Sequence, residues 1–430
     1  MNHHVITPDP VYAAFVGIDW ADRSHRVCLR TATSHHDEQR DLAQDPVALQ
    51  TWALELQARF PGGKIAVGLE QSRGPLIYAL TPYTHLELFP INPAKLAKYR
   101  EAATSASGVK DDPLDATLAC ELVRLHRHWL RPLEKLAPDV RQLQLLCEAR
   151  RRWVEQRTAL QQQLIAALKG YFPQVFGLVG DVGGPMCGAL LRRWPTLAAL
   201  QRARADTLRR FYRQHHVHGA DEIEVRVALV RSAVALTEDA AVIAALSLQV
   251  TSTIAQLAVL RGTIADYDKR IAAVFAAQAD AALFDSLPGA GEQLAPRLYV
   301  AFGADRSRYA SAAEIQRYSG VAPVKKKSGE GLDVTQWRWH CPTFLRQTFV
   351  EFAGASIPKS AWASACYRML MDRGKSRPKA LRALAYKWQR IIYRCWQSRK
   401  PYDEQHYLAA LRRRGSPLLE YLGTADPILT

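Results

Sequence analysis

The chain has 430 residues, 48% of them hydrophobic and 23% charged. That is the make-up of a globular chain too long for one ordinary domain, so two or three units are expected and a largely disordered or low-complexity state is excluded. Lys+Arg of 57 against Asp+Glu of 41 gives +16 and a pI near 9.6, a balance that favours a polyanionic partner without choosing among DNA, RNA and an acidic membrane.

In chain order, residues 13–129 alternate short apolar runs with helical ones, the signature of an α/β layer structure. Ala13 to Trp20 reads as a buried strand and His25 to Thr31 as a second, with a weakly patterned third near Ser34 to Arg40. Asp45 to Phe60 has helical spacing and stops at Pro61-Gly62-Gly63. Ile65 to Leu69 is a strand, Gly74-Pro75 opens a helix, Leu86 to Ile91 is a strand, and Pro113 to about His126 is a closing helix. From about Ala137 to Ala277 strand signals vanish. Leu146, Trp153, Leu160 and Ala167 recur at seven, and a second helical stretch runs from Asp221 to Ala277, which suggests an antiparallel helical hairpin, an arm or dimerisation element. After Leu283 come the turn Leu287-Pro288-Gly289-Ala290-Gly291, a helix from Leu294 to Phe302, a Gly/Lys-rich loop at 320–331 and a basic helical region to about Lys400.

The seven cysteines are scattered, odd in number and form no Cys-x-x-Cys pair, so they read as reduced thiols rather than zinc ligands. No basic patch followed by an apolar core opens the chain, and no run of about eighteen apolar residues is present, so secretion and a membrane span are not expected.

Asp19 ends the first strand and Glu70 the Ile65–Leu69 strand, so parallel pairing would put both acids on one sheet edge. Asp112 and Asp115, three apart at a helix start, would face the same way over that edge. Four carboxylates without an internal counter-charge repel, and a hard cation such as Mg²⁺ or Mn²⁺ resolves this. Two such ions about 4 Å apart would stabilise attacking and leaving oxygens of a phosphodiester. The plainer alternative makes Asp112 an N-cap before Pro113, with Asp115 favoured by the helix dipole.

These motifs, in order, resemble the bridge-RNA-guided insertion-sequence transposases, which carry a DEDD nuclease-like domain and a separate serine-bearing transposase domain. The resemblance rests on Gly17-Ile18-Asp19, Glu70 and Lys110-Asp111-Asp112-Pro113-Leu114-Asp115-Ala116, which matches the family's Lys-Thr-Asp-x-x-Asp-Ala with Asp111 replacing threonine. It continues through Leu287–Gly291, Tyr318-Ser319-Gly320-Val321-Ala322-Pro323, Ser328-Gly329, Arg373-Gly374-Lys375 and the Ala380–Trp388 helix, roughly residues 13 to 400. It implies an RNase H-like, RuvC-like domain over 1–130, a helical coiled-coil arm over 131–280, a mainly helical serine transposase domain over 281–405 and a tail over 406–430. It further implies that Asp19, Glu70, Asp112 and Asp115 hold Mg²⁺ or Mn²⁺, that Ser328 attacks the phosphate, and that Lys110 contacts nucleic acid. The partners so implied are donor and target DNA, a structured guide RNA and further copies of the chain in a dimer or tetramer, with no membrane, in the bacterial cytoplasm at the nucleoid.

Chemically, Ser328 sits before Gly329 and after Lys325, Lys326 and Lys327, which would neutralise a phosphate. Gly289 and Gly291 lie in a turn like that of a helix-hairpin-helix element, whose N–H groups hold phosphate without reading bases. Arg373, Lys375, Arg377 and Lys379 open a basic run that continues through Arg382, Lys387, Arg390 and Arg394. The aromatics between these cations, Tyr386, Trp388, Tyr393 and Trp396, either stack unpaired bases or form the buried face of an amphipathic helix. Two other readings stay open: a RuvC-like metal nuclease or junction resolvase that uses water while Ser328 is structural, and a non-catalytic nucleic-acid-binding scaffold.

Overall fold

A computed structural model describes residues 12–34, 36–103, 112–328, 332–336, 338 and 341–422; the side chains of Ala103, Asp112 and residues 325–328 and 332–336 fall outside the description. The chain divides into two compact units, Met1–Leu136 and Ala137–Thr430.

The first unit is built on β1 (Tyr12–Asp19), β2 (Ser24–Thr31), β3 (Glu38–Ala43), β4 (Lys64–Leu69) and β5 (Leu86–Pro90), in the spatial order β3-β2-β1-β4-β5. β2 runs antiparallel to β1 and β3, while β4 runs parallel to β1 and β5 parallel to β4. The weakly patterned third strand therefore exists, but over Glu38–Ala43. Only Leu42 of it is buried, so its sequence lacks a clear alternation, and its pairing with β2 defines it.

Helices α1 (Pro46–Arg59) and α2 (Pro75–Leu80) cover one sheet face, with Trp52, Leu56 and Leu76 packed against Ala14, Val16, Ile18 and Val67. Asp45 starts α1 by accepting from the Val47 and Ala48 N–H groups at 2.9 and 3.0 Å, satisfying two donors that the helix leaves unpaired. Helices α3 (Pro93–Ala103) and α4 (Asp112–His126) cover the other face, where Phe15, Ala66 and Phe89 meet Ala116, Ala119 and Val123.

The second unit opens with α5 (Pro138–Tyr171). A small helical cluster follows, made of α6 (Pro185–Arg193), α7 (Leu197–Gln201), α8 (Ala205–Gln214) and α9 (Ala220–Ser232), and then α10 (Ala240–Ala276). Arg150 near the start of α5 pairs with Asp268 near the end of α10, and Gly170 near the end of α5 lies against Leu246 near the start of α10. The two long helices are therefore antiparallel. The stretch expected to be continuous from Asp221 is broken at residues 233–239, and Asp239 caps the new start through the Ala241 and Val242 N–H groups. α10 is long and apolar enough to cross a bilayer by length and composition. Within this fold its Val250, Ile254 and Leu257 join a core with Leu164, Leu168 and the α6–α9 cluster.

The remaining elements are α11 (Ala281–Asp285), α12 (Gly291–Phe302), α13 (Ala312–Tyr318), β6 (Val324–Ser328), β7 (Leu332–Gln336), α14 (Thr343–Ser356), α15 (Ala361–Asp372), α16 (Arg377–Ser398) and α17 (Glu404–Arg413). The expected Gly/Lys-rich loop is in part a two-stranded hairpin, with Val324 opposite Gln336 and Ser328 opposite Leu332. The stretch expected as a tail from 406 is folded as far as Leu422. Glu404 accepts from the Ala361 N–H at 2.7 Å and so caps α15, and Tyr407 packs its ring 5.0 Å from that of Trp362. One buried charge system ties α5, α12 and α14 together. Glu351 is shared by Arg151 at 2.8 Å and by the buried Arg297 at 2.6 Å, and burial pulls the Arg297 pKa down.

Candidate functional site: a carboxylate edge and a serine hairpin

β1 and β4 are register neighbours, Gly17 opposite Gly68 and Ile18 opposite Leu69, so the acids that follow, Asp19 and Glu70, leave the sheet side by side at its C-terminal edge. Strand parity then decides the face. Ala14, Val16 and Ile18 point at α1, so Phe15, Gly17 and Asp19 take the α4 side. In β4 the same parity puts Ala66, Gly68 and Glu70 on that side. The two glycines explain how the helix reaches the edge: a Cβ on Gly17 would collide with the Ala116 carbonyl and the Cys120 nitrogen, and one on Gly68 would press on the Ala119 carbonyl and Val123. With no side chain there, α4 lies directly on β1 and β4. The Cys120 thiol meets the Phe15 carbonyl at 3.4 Å, so α4 runs antiparallel to β1 and brings Asp112 and Asp115 to the Asp19–Glu70 edge. The repeated Gly-apolar-acid pattern, Gly17-Ile18-Asp19 and Gly68-Leu69-Glu70, is the sequence signal of this arrangement, and only the packing of α4 shows the part that Gly68 plays.

Asp115 departs from the expectation of four acids without an internal counter-charge. Arg100 on α3 donates to both of its oxygens, Nε to Oδ1 at 2.7 Å and Nη2 to Oδ2 at 2.6 Å, and Asp115 is buried at 3% exposure. A planar guanidinium fork satisfies a carboxylate in this geometry. Lys110 and Asp111 lie outside the described residues, and of Asp112 only its place at the first position of α4 is described.

Mg²⁺ and Mn²⁺ take hard oxygen donors. Asp19 and Glu70 supply that chemistry, and the Gln71 Oε1 beside Glu70 is buried without a hydrogen-bond partner, an oxygen of the same class. The donor set fits such an ion. Among the described residues no three His, Cys, Asp or Glu side chains already converge on one point, consistent with Asp115 being held by Arg100.

The connection that follows Asp19 is fixed by His25, which is fully buried. Its Nδ1 accepts the Ala21 N–H at 3.2 Å, so the other ring nitrogen carries the proton and donates to Gln44 Oε1 at 2.7 Å. Burial lowers the pKa of this imidazole, opposed by the Gln44 hydrogen bond.

In the second unit, Ser328 is the last residue of β6, opposite Leu332 at the start of β7. The nearby Ser319 is excluded as a rival: it is fully buried and its hydroxyl accepts from Gln389 Nε2 at 2.7 Å. Gly289 has φ +81°, and a Cβ there would collide with the Ala355 carbonyl, so this glycine serves close packing inside the protein. Gly291, at φ +53°, has open space around it. Arg373, Lys375, Arg377 and Lys379 lie exposed on the turn from α15 into α16. Lys325, Lys326 and Lys327 belong to β6.

A sheet edge that gathers carboxylates, in a chain carrying +16 overall, suits phosphodiester chemistry on a nucleic acid. Comparison with known proteins gives the class: residues 16–173 match the DEDD_Tnp_IS110 transposase family and residues 281–368 the transposase IS116/IS110/IS902 family. The mini-circle putative transposase for IS117 of Streptomyces coelicolor is 29% identical over 406 residues, 92% of this chain and 97% of its own. The insertion element IS900 uncharacterized 42 kDa protein of Mycobacterium paratuberculosis is 24% identical over 396 residues, 89% of this chain and 95% of its own. The putative transposase y4uE of Sinorhizobium fredii is 25% identical over 210 residues, 48% of this chain and 58% of its own. The protein is thus a transposase, an enzyme that cuts and joins DNA. Both family matches are to transposases of the IS110/IS116/IS902 kind.

Proposed function

We propose that this transposase cuts and rejoins the strands of its mobile element through a phosphoserine at Ser328, guided by a structured RNA, with a divalent cation held at the carboxylate edge. The observation that carries the reading is that the chain holds both a carboxylate edge, in one unit, and a serine at the end of a lysine-rich strand, in the other. An RNase H-like first unit is part of the proposal, supported by the β3-β2-β1-β4-β5 order with only β2 antiparallel to its neighbours. So are the arm over 131–280 and the serine domain over 281–405.

Asp19, Glu70 and Asp112 would hold Mg²⁺ or Mn²⁺, and Asp115 would join them on leaving Arg100. When bound, the ion supplies charge neutralisation at phosphate oxygens. The Ser328 hydroxyl gives up its proton as its oxygen bonds to phosphorus, and the bond from phosphorus to one DNA strand oxygen breaks, that oxygen leaving with a proton. The serine–phosphate ester keeps the energy of the original diester, so a DNA hydroxyl can displace the serine oxygen and rejoin the strand without another energy source. Lys325, Lys326 and Lys327 precede the serine in β6 and would offset the phosphate charge. Backbone contacts from Lys110, Gly289, Gly291, Arg373, Lys375, Arg377 and Lys379 would place the donor and target DNA and the RNA. The protein works at the nucleoid, in the cytoplasm, as a dimer or tetramer.

The test is incubation with Mg²⁺, the element's flanking non-coding RNA and labelled DNA, followed by a denaturing gel. A protein-linked DNA band lost in Ser328→Ala and in Asp19→Ala is the expected result. Free nicked ends from the wild type without such a band would replace it with a hydrolytic nuclease.

A further inference from the structure

α16 buries Leu384, Trp388, Gln389, Ile392 and Trp396 on one face, so its tryptophans are core and do not stack bases. Its opposite face borders a shallow groove of about 520 Å³ beside the start of α13, walled by Arg390 and Arg394 with Tyr393 and Gln397 between them. The groove is preformed: the Tyr393 hydroxyl donates to the Tyr309 carbonyl at 3.1 Å, and Gln397 Nε2 donates to the Arg306 carbonyl at 2.9 Å.

The two guanidiniums stand four residues apart, exposed, with no acidic partner among the described residues and no acid in the groove lining. A third cation joins them. Tyr407 of α17 has its hydroxyl pKa pushed up chiefly by burial, with Arg390, Arg414 and Arg394 the cations close enough to oppose that. Like charges held on one face of a helix repel, and a bound polyanion offsets this. Lys379 lies in line with Arg390, about three helical turns or 16 Å along α16, which matches the rise of about five base pairs of duplex. Arg390 and Arg394 themselves lie beyond residues 16–173 and 281–368, the parts of the chain that the family matches cover.

We propose that the outward face of α16, from Lys379 to the groove at Arg390 and Arg394, is a track for the sugar–phosphate backbone of the DNA this transposase acts on. Backbone contact here carries no sequence information, so the track fixes the position and angle of a duplex while other elements choose the site. It depends on the protein acting on DNA, and on neither Ser328 chemistry nor RNA guidance.

The test uses the full-length protein with Arg390→Ala/Arg394→Ala, read by fluorescence anisotropy on a short labelled duplex of random sequence over a range of salt. Loss of two phosphate contacts lowers the slope of log affinity against log salt by about 1.8. The melting temperature stays unchanged because both side chains are exposed, and Arg390→Lys/Arg394→Lys retains the slope. A folded alanine variant that binds the duplex with wild-type affinity and slope overturns the proposal. Weakening confined to a structured RNA probe, with duplex binding intact, overturns it in favour of an RNA surface.

Discussion

At the scale of single residues, the pair to perturb is Arg100 and Asp115. With Asp115 at 3% exposure, truncating Arg100 to alanine leaves a buried, uncompensated carboxylate. Breaking such a pair costs about 3–5 kcal/mol. Arg100→Ala should therefore lower the calorimetric melting temperature sharply, and Arg100→Ala/Asp115→Asn should recover much of the loss. Unchanged melting in the single variant would show that the ion pair does not hold α3 on α4.

His25 gives a pH prediction of defined sign. Burial lowers its folded pKa below the usual 6.5, so the unfolded chain takes up the proton first. This contribution to stability is complete above about pH 6.5 and is lost as pH falls from there toward the folded pKa. Thermal melts between pH 8 and pH 5 should show a steeper acid-side loss for wild type than for His25→Asn. Parallel profiles would count against it.

At the scale of elements, α10 is the outlier. Residues 240–260 contain no charged side chain, yet Ala241, Ala245, Leu248, Ser252, Ala255 and Val259, spaced four and three apart, lie exposed on the face away from α5. That spacing is the seam of a helix that packs along another helix, and it supports the expected pairing of copies through the arm. Leu248 is 68% exposed and Val259 69%, so Leu248→Glu/Val259→Glu should leave monomer folding intact. The oligomer measured by light scattering should then fall apart; an oligomer of unchanged mass would move the interface elsewhere.

At the scale of the whole molecule, binding and cutting should separate. The +16 charge supplies a long-range, salt-sensitive attraction for nucleic acid that needs no divalent ion. Chelation with EDTA should abolish strand cleavage while leaving duplex affinity at constant ionic strength within about twofold, a loss of under about 0.5 kcal/mol. Affinity that collapses in EDTA would mean that the carboxylate edge contributes directly to binding.

How much of this was written in the sequence depends on the range of the interaction. Local pattern revealed the α/β first unit, the strand ends carrying Asp19 and Glu70, the start of α4 and the two long helices, because apolar periodicity and capping are properties of neighbouring residues. It marked β3 only weakly and a few residues early, because the Arg26–Asp41 and Arg40–Glu55 pairs make that strand polar on both sides. It also missed the β6–β7 hairpin, which exists only through pairing across a turn. Nor could it show that α4 rests on Gly17 and Gly68, that Arg100 occupies Asp115, or that Ser319 is buried against Gln389. Those facts join residues that are distant in the chain, where only the closed packing of sheet and helices decides which side chains meet. The sequence by itself determined the acids, the serine and the cations as residue types in order; the tertiary structure decided which acid is already neutralised, which aromatics are core and which arginines remain for a phosphate.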